Sequence, residues 1–227
     1  MNFLTTNTNG IRTNTKLDEL GLILRRYDVS IALLSETHLD GDVDDNRIQL
    51  KGYHVLRRDR NFTAVNKSKG GGVVMYLSET INYFQPSVQV PDELEVLWCI
   101  LQPSHADSVI VGGIYLPPDS SASRKHLFIE HIIHTVDHLR SSRPRARVVL
   151  LGDFNSALDT DQLARQLNMQ QIVTQPTRGA ALLDKIMTDF EHPSRPQVLP
   201  ALGTADHKIE WLPVENRIAT KFVQLGH

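Results

Sequence analysis

Apolar runs and helical periodicities alternate along the whole 227-residue chain. Asn2 to Thr6 predicts a short first strand. From Lys16 to Tyr27, Leu17, Leu20, Ile23 and Leu24 recur at helical spacing, with Thr13 or Thr15 as a cap. Val29 to Ser35 is a continuous apolar run, the pattern of a strand buried on both faces. Gly72 to Leu77, Glu95 to Gln102 and Ser108 to Tyr115 predict three more strands. Ser123 to Arg140 predicts a helix whose Phe128, Ile132, Val136 and Leu139 form one stripe. Arg147 to Leu151 then reads as a strand, Thr160 to Leu167 as a short helix, and Lys185 to Thr188 and Lys208 to Leu212 as further strands. Asp40 to Asp45, Asn61 to Gly71 and Glu191 to Pro200 are polar or rich in Gly and Pro, and predict loops.

Many strands with few helices between the central ones imply two sheets packed face to face with helices outside. No segment looks like a linker between domains, so residues 1–213 are expected to form one domain. Residues 214–227 are expected to be a tail or the start of a linker. Hydrophobic residues make up 41% and charged residues 22%, ordinary values for a soluble globular protein. The net charge of −2 excludes a global basic field, so nucleic-acid binding would need local patches such as Arg57 with Arg58 and Arg60, Lys67 with Lys69, or Arg143 with Arg145 and Arg147. Cys99 is the only cysteine and lies in an apolar run. It reads as a small buried hydrophobe, which excludes a disulfide framework and a cysteine zinc site. The first residues lack the charged start and long apolar stretch of a signal peptide, and no run approaches the ~18 apolar residues of a membrane span.

The chemistry sits where the runs stop. Arg147-Val148-Val149-Leu150-Leu151-Gly152-Asp153-Phe154-Asn155 is a buried strand that ends in Gly-Asp-x-Asn. An acceptor-only Asp and a donor-plus-acceptor Asn two residues apart can hold a water between a metal and a phosphate. Other runs end in the same manner. The first stops at Asn7, followed by Asn9 and Gly10; the second stops at Glu36; the third at Tyr115. Asp206 and His207 precede the last run, and Asp184 lies within Leu182-Leu183-Asp184-Lys185-Ile186. Hard oxygen donors with no thiolate suit magnesium or manganese rather than zinc. Taken singly, each residue also fits a duller part: a turn at Asn7, Asn9 and Gly10, a solvated Glu36, a packing Tyr115, a paired Asp184, a surface His207. Only the ordered set is distinctive.

That set resembles the endonuclease/exonuclease/phosphatase superfamily, over Asn7 to about Leu212. Thr6-Asn7-Thr8-Asn9-Gly10-Ile11, Ser35-Glu36-Thr37-His38-Leu39, Ile114-Tyr115-Leu116-Pro117-Pro118, Gly152-Asp153-Phe154-Asn155 and Ala205-Asp206-His207 are similar to its motifs. Glu-Thr-His-Leu, Gly70-Gly71-Gly72-Val73, Tyr-x-Pro-Pro and Gln175-Pro176-Thr177-Arg178 with Leu183-Asp184 resemble, within it, the endonuclease domain of LINE-type non-LTR retrotransposons. The resemblance implies an α/β fold: a four-layer α/β sandwich of the deoxyribonuclease-I type, with two packed, mainly antiparallel sheets flanked by helices. It implies a magnesium-dependent (or manganese-dependent) endonuclease that nicks one strand of duplex DNA and leaves a 3′-hydroxyl for target-primed reverse transcription. A covalently linked reverse transcriptase, a monomeric domain, no membrane partner and action in the nucleus belong to the same expectation. An apurinic-site repair endonuclease, an inositol or lipid phosphatase and a catalytically dead binding module are the alternatives.

The resemblance also implies roles. Glu36 would bind the metal, with Asn7 beside it. Asp153 would orient or deprotonate the attacking water, and Asn155 would hold the water or the phosphate. His207, oriented by Asp184, would stabilise the scissile phosphate; Asp206 would support the metal or the histidine, and Tyr115 would donate to a phosphate oxygen. Asn9, Arg12, Thr177 and Arg178 flank the site and are the candidates for contacting DNA. Two departures stand out. Ala205 replaces a frequent Ser, and only six residues separate Thr177 from Asp184, which predicts weak sequence preference. His131, His134 and His138 share a helical face beside the apolar stripe and are expected to be solvent-exposed rather than metal ligands.

Overall fold

A computed structural model describes residues 1–103, 107–156, 158, 160–191 and 194–214. Along the chain run β1 (Asn2–Asn7), α1 (Asn14–Arg26), β2 (Ile31–Ser35), β3 (Tyr53–Arg58), α2 (Phe62–Val65), β4 (Val73–Ser78), β5 (Tyr83–Phe84), β6 (Glu95–Leu101), β7 (Val109–Tyr115), α3 (Ala122–Ser142), β8 (Arg147–Asp153), α4 (Thr160–Leu167), β9 (Gln170–Gln171), β10 (Asp184–Thr188), β11 (Gln197–Leu199) and β12 (Ile209–Pro213).

The strands form two six-stranded sheets, ordered β11-β12-β1-β2-β4-β3 and β5-β6-β7-β8-β10-β9. Each sheet is antiparallel except at its centre, where β1 runs parallel to β2 and β7 parallel to β8. Those two parallel pairs are joined by α1 and α3, the connections that parallel neighbours require. The buried faces then sort into three layers. Phe3, Ile31, Leu33, Met75, Val111, Val149, Leu151 and Ile186 fill the space between the sheets. Leu17, Leu20 and Leu24 of α1 cover the outer face of the first sheet, and Phe128, Ile132 and Val136 of α3 cover that of the second. Because both faces are covered, β2, β6 and β7 are buried at every position, which is why they read as unbroken apolar runs.

The predicted helices lie within one or two residues of the observed ones, Asn14–Arg26 and Ala122–Ser142, and Thr160–Leu167 coincides with its prediction. The sequence pattern does not predict β3, β5, β9 and β11, and these are the outermost strands of the two sheets. Edge strands are short and partly exposed, so they carry no apolar signature. Accordingly α2 replaces part of the predicted loop Asn61 to Gly71, and β11 part of Glu191 to Pro200. Of the predicted tail, residues 214–227, all but Val214 lie outside the described residues. No helix among the described residues is long and apolar enough to cross a membrane.

Candidate functional site

The inter-sheet layer is apolar along most of its length and turns polar at one end. Four strands deliver their last residues there: Asn7 ends β1, Glu36 follows β2, Tyr115 ends β7 and Asp153 ends β8. These are the carboxyl ends of the two parallel pairs, the place where open sheets free their loops from ladder bonding. The antiparallel neighbours bring the rest. Asp184 opens β10 directly opposite Asp153, and His207 precedes β12, the partner of β1.

A hydrogen-bond network ties the sheets together at this end. Asn7 Nδ2 donates to Asp153 Oδ2 at 2.9 Å, and Asn7 Oδ1 accepts from the Asn9 amide. Asp153 Oδ1 accepts from the Asn155 amide, while Asn155 Nδ2 donates to the Leu116 carbonyl. The Tyr115 hydroxyl donates to Glu36 Oε1 at 2.7 Å, and His38 Nε2 lies 3.4 Å from Glu36 Oε2. His207 Nδ1 and Asp184 Oδ2 are 2.6 Å apart. Asn9, Glu36, His38 and Asn155 all adopt positive φ, between 45° and 55°. Non-glycine residues seldom hold that conformation without compensating contacts, and it clusters at functional sites. At Gly152 the close approach is to backbone: a Cβ there would lie 1.9 Å from the Ile114 carbonyl oxygen.

The environment separates the acids. Burial works against the charge of Glu36, but hydrogen bonds from His38, Tyr115 and Asn7 outweigh it and hold its pKa at about 2. Glu36 is therefore an ionised carboxylate at neutral pH. Burial, then the nearby Asp184 charge, pushes Asp153 well above the carboxylate range. Burial pulls His207 down, yet its bond to Asp184 and the surrounding carboxylates raise it on balance. The Tyr115 phenol is raised by burial and by Glu36, so it stays a donor. Ligand atoms of Asp153, Asp184 and His207 lie within 4.8 Å of one another, a group that could bind a metal ion. Oxygen donors with one imidazole, beside a carboxylate held ionised, fit a hard divalent cation.

The remaining candidates take other positions. Asp206 is exposed and ion-paired with Arg178 at 2.6 Å, and its charge is one of those that raise His207. Thr177 is fully buried; its Oγ1 accepts from the Leu183 and Asp184 amides, which fixes Asp184 rather than offering a group to DNA. Arg178 and Ala181 close a tight turn at the short loop. Arg12 reaches back to the His38 carbonyl and to Asp40, and Asn9 is exposed. His134 and His138 are exposed as expected. His131 is not: it is partly buried and accepts from Trp98 Nε1, because the stripe's edge packs against β6. Two buried acids were not singled out from the sequence. Glu95 sits beneath the site in a cluster with Arg60 and Arg124. Glu210 is fully buried, raised well above the carboxylate range by burial and then by Asp184. The signal for both was present: a lone Glu within an otherwise apolar strand.

Comparison with known proteins gives a consistent picture. The chain resembles the endonuclease domain of TRAS1, a telomere-specific non-LTR retrotransposon, at 16% identity, covering 94% of this chain and 97% of that one with a TM-score of 0.65. It resembles an AP endonuclease from Leishmania major at 14% identity, covering 94% and 88%, with a TM-score of 0.73. It also resembles a 3′-5′ exonuclease from Neisseria meningitidis at 17% identity, covering 95% and 100%, with a TM-score of 0.64. At these identities the likeness is one of fold. The family model described as "Endonuclease/Exonuclease/phosphatase family" matches residues 4–207, a span that runs from β1 to His207 and takes in every strand-end residue of the site. The chain belongs to the endonuclease/exonuclease/phosphatase family.

Proposed function

We propose that this protein is a divalent-metal-dependent endonuclease that nicks one strand of duplex DNA and leaves a 3′-hydroxyl to prime target-primed reverse transcription. The observation that carries the reading is the Asn7–Asp153 hydrogen bond between the sheets. It brings the Glu36–Tyr115 pair and the Asp153–Asp184–His207 group to one site, as phosphodiester hydrolysis requires.

Each group has a role. Asp153 is buried and raised toward neutrality, so it can take a proton from an attacking water, and Asn155 holds that water or the phosphate. His207, whose bond to Asp184 helps raise its pKa against the effect of burial, donates in its protonated form to the phosphate as negative charge grows on its oxygens. The Tyr115 hydroxyl donates its one proton to Glu36 here, and it becomes a second donor to the phosphate when it turns from that carboxylate. Glu36 and Asn7 would hold a magnesium or manganese ion, which supplies positive charge to the phosphate in the transition state. Donors fixed before reaction stabilise the transition state more than the ground state, about two to three powers of ten in rate for each.

Duplex DNA as substrate, a linked reverse transcriptase, a monomeric domain and action in the nucleus are parts of the same proposal, supported by the retrotransposon-like motifs and the TRAS1 likeness. An end-labelled duplex with magnesium tests it. The expected product is a single nick whose 3′ end a polymerase extends. Cleavage confined to a matched duplex containing an abasic site would instead favour a repair endonuclease. Release of inorganic phosphate without a nick would favour a phosphatase.

A further inference from the structure

Behind Tyr115 and Glu36 lies a buried charge cluster that the site chemistry does not use. Glu95, the first residue of β6, stands directly opposite Tyr115 in the β6–β7 register. Its side chain is 2% exposed and collects three donors: Arg60 Nε at 2.8 Å and Arg124 Nη2 at 3.3 Å on Oε1, and the Gly72 amide on Oε2. Arg60 is itself 8% exposed. Its Nη1 donates to the Lys69 carbonyl, and its guanidinium carbon lies 5.8 Å from the Tyr115 ring centre.

The cluster touches both supports of Glu36. The Gly72 carbonyl accepts from the Thr37 amide and the Gly71 carbonyl from the His38 amide, so the glycine run holds the backbone that follows Glu36. Tyr115 holds the Glu36 carboxylate from the other side. Arg60 packs against this run so closely that a Cβ on Gly71 would lie 2.2 Å from its Nε, and Gly71 has φ of +73°. Only glycine allows both contacts. Arg60 Nη2 and Arg124 Nε are buried without an acceptor among the described residues.

We propose that Arg60, clamped by Glu95 and seated on Gly71, is a positioning residue that fixes Glu36 and Tyr115 for metal binding. The inference rests on the reading of Glu36 as the metal ligand. Arg60 acts through Glu95, the glycine run and Tyr115, and touches neither metal nor DNA. Lysine keeps its charge but loses the fork that spans Glu95 and the Lys69 carbonyl.

The test is calorimetric titration of the whole chain with manganese, for wild type, Arg60→Lys, Gly71→Ala and Glu95→Gln. Leu24→Ala, a core change in α1, serves as the control for lost stability. Arg60→Lys and Gly71→Ala are expected to weaken manganese binding about tenfold, the scale for residues that orient metal ligands, while Leu24→Ala keeps wild-type affinity. On plasmid DNA kcat should fall more than KM rises. Folded Arg60→Lys and Gly71→Ala proteins with unchanged affinity overturn the proposal, as does an equal loss in Leu24→Ala. So does a wild type that binds no manganese. A wild type that binds manganese but leaves DNA intact contradicts the endonuclease reading and not this one. If Arg60→Lys fails to fold, the affinities of Gly71→Ala and Glu95→Gln decide between the same two outcomes.

Discussion

Asn7 and Asp153 belong to different sheets, and the Asn7 side chain donates to the Asp153 carboxylate at 2.9 Å. The bond closes the polar end of the inter-sheet layer. Asn7→Ala removes it and leaves Asp153, 1% exposed, short of one donor. A buried acceptor left unsatisfied costs about 1–3 kcal/mol, and loss of the group near the metal should slow nicking by about a hundredfold or more. Urea midpoints and single-turnover rates measure the two effects. A rate within threefold of wild type would show that Asn7 only braces the fold.

The raised acids make cation-free stability fall as pH rises. Asp153 in the fold has a pKa of about 7, above the ~3.9 of an unfolded aspartate. The folded state therefore binds the proton more tightly, and that advantage is lost as pH rises from the carboxylate range through about 7. His207, also raised, contributes below ~6.5 and loses its contribution as pH climbs through its folded value. Both act in one direction. Between pH 5 and pH 8 the metal-free protein should lose about 3 kcal/mol, roughly 6–12 °C in Tm. Added magnesium should restore more at pH 8 than at pH 5, because the Asp153–Asp184–His207 group beside Glu36 and Asn7 has then lost protons and attracts a cation more strongly. Thermal melts with and without magnesium at the two pH values check this; a magnesium gain that shrinks with pH would contradict it.

Gly152 is the backbone counterpart of these contacts. A Cβ there would meet the Ile114 carbonyl oxygen at 1.9 Å, and φ is +140°. The backbone of a central strand cannot give way cheaply, so Gly152→Ala should cost about 3 kcal/mol or more. It should also lower activity in the folded fraction by shifting Asp153. Equilibrium denaturation beside an activity assay separates the two losses, and a fully stable Gly152→Ala protein would refute the steric account.

Much of this was legible in the sequence for one physical reason. Central strands are buried on both faces, so a polar residue at their ends stands out against Leu and Val; Asn7, Glu36, Tyr115 and Asp153 all announced themselves in that way. The edge strands β3, β5, β9 and β11 did not, because their exposed faces take polar residues and two of them have only two residues. The partner of a polar residue was also illegible. Asp206 lies next to His207, yet it pairs outward with Arg178, and Thr177 turns inward to Asp184. Both lie in loops outside the strands, and contacts between residues distant in sequence, such as the Lys208 amide with the Thr177 carbonyl, set the course of those loops. Glu95 showed the same contrast at the start of β6 and Glu210 within β12, but neither stands where an apolar run stops, the position that marked the other residues.

Arg178 is the best-placed phosphate contact. Its ion pair with Asp206 is half exposed, so breaking it costs stability only about 0–1 kcal/mol. If Arg178 leaves Asp206 for a phosphate, Arg178→Ala should lower the slope of log affinity against log salt by about one. The tight turn beside it presents little side chain, so the loss should be uniform over a randomised duplex library. A loss confined to one sequence would make Arg178 a base reader instead.

Supercoiled plasmid tests the central claim most directly. With magnesium, the wild type should convert it to relaxed circles, chelator should stop the conversion, and His207→Ala should slow it by roughly two to three powers of ten. Intact plasmid after incubation with magnesium or manganese, from a protein shown to be folded, would contradict the account.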